Sequence, residues 1–225
     1  MFRFCIITLV VFPILTFLFS GSSFAFDADD LQYWNTESAS YKINKDWKIK
    51  AEEELRFSEH ARGLYYEHTD LGLTYSGLAK WFDVGVNYRL IYEDKGEKRK
   101  HENRPHINAT LKYSPGNLNL SNRSRMEFRN KQDSDDAWRY RNKSIAKFSY
   151  NLMKNLKASP YIANESFLDF DEEEYSRNRL YSGVDFKIFK NFGIDVYYLW
   201  EANYIESKDS WKSYNIIGTK AKLSF

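Results

Sequence analysis

Apolar and polar positions alternate along most of this chain. Trp47, Ile49, Ala51, Leu55 and Phe57 fall on one side of a segment whose other side is Lys48, Lys50, Glu52, Glu54 and Arg56. Tyr65, Glu67, Thr69, Leu71, Leu73 and Tyr75 oppose Tyr66, His68, Asp70, Gly72 and Thr74. The same period recurs over 84–92, 107–113, 118–128, 138–148, 156–168, 177–188, 192–203 and 215–225, and more weakly over 33–43. Successive side chains on a strand point to opposite faces, so a period of two predicts strands. About eleven are expected, and helical periodicity competes nowhere after the N-terminal segment.

The connections predict a topology. Turns of hairpin type occupy 44–46, 76–80, 114–117, 151–155 and 189–191, rich in Gly, Asn and Pro. Longer, charged connections are expected at 93–103, 130–137, 169–176 and 204–211, and only 60–63 is short where a long one is due. Short periplasmic turns and longer outer loops are the habit of transmembrane barrels. The fold class expected is therefore all-β, a transmembrane antiparallel up-and-down barrel of about 10–12 strands. Single-chain bacterial barrels have even strand numbers, and eleven is odd. An extra rising strand near 27–33, making twelve, is the preferred resolution; ten, with the first segment outside the sheet, is the other.

The two ends point to the same compartment. Arg3 precedes an apolar run from Phe4 to Phe19, and Ser23-Phe24-Ala25 has the small-x-small form of a signal-peptidase site. Residues 1–25 are expected to be a cleaved signal peptide, and 26–225 one barrel domain in the bacterial outer membrane. At the other end Ile217, Thr219, Ala221, Leu223 and Phe225 alternate with Gly218, Lys220, Lys222 and Ser224. A closing strand on a terminal Phe is the expected signal to the barrel-assembly machinery. Gly218 lies further from Phe225 than is usual, and Leu223 replaces a frequent aromatic.

Composition narrows the function classes. The only cysteine, Cys5, falls in the signal, which excludes disulfides, thiolate metal sites and cysteine nucleophiles from the mature chain. The 17 Tyr, 17 Phe and 6 Trp suit girdles at two membrane interfaces, with Trp47, Trp81, Trp138, Trp200 and Trp211 near strand ends as anchors. The formal charge of +2 does not suggest a nucleic-acid partner. The expected surroundings are outer-membrane lipid and lipopolysaccharide, and the expected state is a monomer.

The candidate chemistry lies on the polar registers. Arg123, Arg125, Glu127 and Arg129 alternate on one face, answered after the next turn by Arg139, Arg141 and Lys143. Arg56, Arg89, Glu165 and Arg179 fall on equivalent registers, with Glu52, Glu54, Asp70, Arg177, Asp185 and Glu201. Opposite an apolar face, these groups must line the lumen. They form either an anion-selecting lining, since Arg forks match carboxylate and phosphate, or a neutralised network that fills a narrow barrel. Catalysis has fewer supports. His68 with Asp70, and His106 with Asn108, point inward; His60 and His101 are in loops; no serine has a nucleophile context. The acid run Asp169, Asp171, Glu172, Glu173 and Glu174 lacks calcium-loop spacing. No catalytic residue, metal or cofactor is assigned.

Several segments resemble an uncharacterised family of bacterial outer-membrane proteins, domain of unknown function 2490. They are Tyr33-Trp34-Asn35-Thr36, the strand from Trp47 to Phe57, Asn103-Arg104-Pro105, the run from Asn122 to Arg129, Tyr140-Arg141-Asn142-Lys143, Asn164-Glu165-Ser166-Phe167 and Asn178-Arg179-Leu180. The resemblance covers most of the mature chain and implies an outer-membrane barrel without supplying an activity. The functional expectation is a non-enzymatic barrel, a narrow porin-like channel or a structural one, with an Arg-rich lumen. An outer-membrane enzyme acting on lipid or lipopolysaccharide and a soluble periplasmic β-protein are the alternatives.

Overall fold

The computed structural model describes residues 31–58, 63–95, 98–153, 156–170, 174–205, 207 and 209–225. The expected signal peptide, His60 and most of the acid run lie outside them. The strands are β1 (Leu31–Lys42), β2 (Trp47–Ser58), β3 (Gly63–Ala79), β4 (Phe82–Lys95), β5 (Lys98–Tyr113), β6 (Leu118–Lys131), β7 (Ala137–Phe148), β8 (Tyr150–Met153), β9 (Leu156–Asp169), β10 (Glu174–Lys187), β11 (Phe192–Ile205) and β12 (Ser210–Ser224). They form one closed sheet. The short β8 continues β7 along β9 after a break at Ser149, so the barrel has eleven staves.

The odd count is resolved at the closure. β1 lies parallel to β12, from Leu31 beside Asn215 to Ser40 beside Ser224, while every other neighbouring pair is antiparallel. One parallel pair closes an odd sheet, so the barrel needs no extra strand ahead of β1. Tilted about 40° with about 3.3 Å per residue, even the 12-residue β1 rises about 30 Å. That spans an apolar band of about 25 Å.

Much of the sequence expected as charged loop is strand. β4 runs to Lys95 and β5 begins at Lys98, and the connections at both mouths span two to five residues. Ladder hydrogen bonds do not require apolar side chains, so hairpins continue past the apolar band. Arg99 pairs with Glu67 there, and Tyr92 packs on the His101 ring.

The outer wall carries the apolar registers. Leu71, Val86, Leu90, Ile107, Leu111, Ile162 and Leu180 are exposed along its middle. Aromatic pairs mark two rims. One holds Trp47–Tyr75, Trp81–Phe82 and Phe189–Phe192, next to Phe225. The other holds Tyr33–Phe57, Phe128–Trp138 and Tyr204–Trp211. The wall is dished where Ser144 and Ala146 lie between Leu120 and Ile162, leaving a groove of about 770 Å³. Two parts of it are polar. Asn122 and Asn142 exchange hydrogen bonds of 2.8 and 3.1 Å, beside Ser124 and Tyr140. Glu37 and Glu53 stand opposite each other in register, and Glu53 accepts from Thr69 at 2.6 Å.

The inner wall carries the charged registers and a small apolar core of Trp34, Leu199 and Ile216. Gly183 and Gly218 face inward under Tyr197; a Cβ on Gly183 would lie 2.7 Å from the tyrosine Cβ. Larger residues there would displace the ring.

Candidate functional site: the ion-paired lumen

Side chains on alternate residues of a closed sheet converge on its axis, so groups from strands that are not neighbours can meet inside. Lys147 on β7 reaches Asp185 on β10 at 2.6 Å, past β9, and Lys222 reaches the same carboxylate from β12 at 2.5 Å. Arg129 on β6 lies 3.7 Å from Asp169 on β9. Arg179 on β10 stacks over the Trp34 ring on β1, 4.9 Å from its centroid.

Two carboxylates organise the middle of the lumen. Glu127 is fully shielded from solvent. Its Oε1 accepts from Arg141 at 2.8 Å and Arg125 at 3.3 Å, and Arg104 stands 3.6 Å from Oε2. Glu165 is almost as deeply buried. Its Oε1 accepts from Arg141 at 2.8 Å and Arg123 at 3.1 Å; its Oε2 accepts from Tyr181 at 3.0 Å, with Arg179 at 3.8 Å. Arg141 thus bridges both acids. A buried carboxylate this deep is tolerated because charged donors replace its water.

The remaining candidates form further pairs. Arg139 grips Asp169 with both arms, at 2.6 and 2.9 Å, and Arg129 grips Glu102 at 2.9 and 3.0 Å. Such forks are the strongest form of this contact. On the other side of the barrel Arg89 donates to Asp70 at 2.8 Å, and Arg56 to Glu54 at 2.7 Å. Arg179 also donates to Glu201 at 2.5 Å. Arg125 completes its bonds on Asn108 at 2.7 Å.

The inward histidines join the same network. His68 lies 3.9 Å from Glu52 and 3.8 Å from Glu54, and His106 lies 3.7 Å from Asp70. Asp70 therefore serves Arg89 and His106 rather than its strand neighbour His68. No serine hydroxyl bonds to either ring among the described residues. His101 is exposed.

Sequence reasoning missed the aromatic partners of these arginines. Arg56 stacks on Trp34 at 3.7 Å and Tyr66 at 4.0 Å, and Arg141 on Phe167 at 4.5 Å. The signal was present in the alternation: Trp34 and Phe167 occupy the polar registers of β1 and β9. Arg104 and Glu102 were missed because their segment read as loop margin.

A family model described as "Protein of unknown function (DUF2490)" matches residues 31–212. The chain belongs to that family. Its matched segment takes in β1 to β11 and the first residues of β12. Among solved structures, LpxR from Salmonella typhimurium is similar over 84% of this chain and 87% of its own, with 7% identity and a TM-score of 0.52. The NanC porin is similar over 84% of this chain and 91% of its own, with 10% identity and a TM-score of 0.49. Both are outer-membrane barrels. At such identities the first likeness concerns the barrel fold alone. No curated protein sequence matches the chain.

Proposed function

We propose that this DUF2490 member is a monomeric barrel of the bacterial outer membrane, exported by a signal peptide cleaved after Ala25, whose lumen is a narrow passage sealed at mid-height by ion pairs. Lipid and lipopolysaccharide surround its apolar wall, and the assembly machinery recognises β12. The observation that carries the reading is Glu127, from which solvent is excluded by arginines of β5, β6 and β7. Side chains that reach past a strand, such as Lys147 of β7 on Asp185 of β10 and Arg179 of β10 over Trp34 of β1, support a narrow bore around it. The seal separates two wetter ends, where Arg177 and Lys147 are each about 29% exposed.

Planar-bilayer recording of the refolded chain tests it. The unaltered protein is expected to give no sustained current steps at neutral pH. Glu127→Ala combined with Arg141→Ala removes both halves of the central pair and is expected to produce them. Steady conductance from the unaltered protein would overturn the reading.

A further inference from the structure

Arg123 on β6 and Lys143 on β7 stand directly opposite each other on the inner wall. Like charges so placed repel unless a counter-charge lies between them. Glu165 is the carboxylate within reach, opposite Lys143 on β9, and its oxygens are already occupied by Arg123, Arg141 and Tyr181. Among the described residues, no carboxylate oxygen comes within 4.0 Å of the Lys143 ammonium, which rests 3.6 Å over the Tyr181 ring. The Nε atoms of Arg123 and Arg141 are buried and have no hydrogen-bond partner. Arg141 and Arg179 have second acids in Glu127 and Glu201, so Arg123 and Lys143 are the two cations here whose counter-charge is Glu165 alone.

This level is also where the lumen opens. The Arg123 side chain is 32% exposed, against 8% for Arg141 and 1% for Glu165. Since Arg123 points inward, that surface faces the cavity on the Phe225 side of the seal. The approach is basic: Lys147 and Lys222 share Asp185, and Lys50 and Lys220 share Glu52. Asp195, opposite Lys220 on the inner wall, is a third acid there, so among these groups four lysines face three carboxylates and leave a small excess of positive charge to draw an anion inward.

We propose that Arg123 and Lys143 form a binding site for a small oxyanion, a carboxylate or phosphate group, entered from the Phe225 mouth. The guanidinium offers a planar fork and the ammonium a point charge, and Arg123 holds Glu165 through Nη2 alone, which leaves its other terminal nitrogen for a bound oxyanion. The proposal rests on the barrel reading and not on the seal.

Titration calorimetry on the refolded barrel in zwitterionic detergent tests it, with inorganic phosphate and acetate as probes at constant ionic strength. Saturable one-site binding of either probe is expected, and the probe that binds identifies the preferred group. Arg123→Gln with Lys143→Gln should weaken it at least about tenfold, the loss of charge-assisted bonds. Arg99→Gln, on the outer wall, should leave it unchanged. Absence of saturable heat with both probes, or binding unchanged in the double variant, would overturn the site. Should that variant not fold, acetylation of the unaltered chain replaces it. The bound probe must slow modification of Lys143 and not of exposed Lys45; equal rates would overturn the site. No current is measured, so a conducting barrel that binds the probe refutes only the seal.

Discussion

Removing the Glu127 carboxylate would leave Arg104, Arg125 and Arg141 facing one another in a space without solvent. Truncating one partner of a buried ion network costs about 3–5 kcal/mol, because the others stay charged and unpaired. Glu127→Ala should therefore lower the urea midpoint of the folded barrel strongly. Adding Arg141→Ala should cost less than the sum of the two single changes, since the groups are coupled. Additive losses would mean that the two side chains do not act as one unit. The place of Glu127 was legible, because its register opposes Met126 and Phe128. Its partners were only half legible. Arg125 and Arg141 follow from the same alternation, whereas Arg104 reaches it from a strand that composition disguised. Trp34 and Phe167 show a different limit. An aromatic residue in a barrel sequence suggests the lipid face, yet these two lie inside because an arginine plane covers their rings.

Among the elements, β1 and its neighbours carry the least conventional features. Strand existence was readable almost everywhere from the period of two, while strand length was not. Charged hairpin ends have no apolar register to count, so β5 begins nine residues earlier than its apolar alternation, at Lys98 rather than Ile107. The closing pair was illegible for another reason. The direction of pairing between the first and last strands is a property of the whole ring, and no local pattern encodes it. On the other side of β1, across its antiparallel pairing with β2, Glu37 and Glu53 face each other on the outer wall, midway between Tyr33 and Tyr41 on β1. Opposed like charges destabilise a strand pair, and an apolar surrounding raises the cost. Glu37→Gln is expected to raise the unfolding midpoint in lipid vesicles, and a lower midpoint would show that the carboxylate has a stabilising partner there.

Taken as a whole molecule, the barrel inverts the usual arrangement of a soluble domain, with its charges inside and its apolar surface outside. Stability then depends on the interlocking of Arg and acid rows, and in the proposed function the same rows divide the lumen into two antechambers. The parallel seam has a further, topological consequence. β1 and β12 run in the same direction, so the backbone enters through one mouth and departs through the other, as a thread does through a bead. A peptide tag inserted just ahead of Leu31 and a second tag after Phe225 would be displayed to different compartments. Protease added to intact cells should remove one tag and spare the other; loss of both, or of neither, would rule out the parallel closure. In a barrel with an even number of strands, both tags would share one address. Here the two ends can be read, modified or tethered independently, from opposite sides of the same membrane.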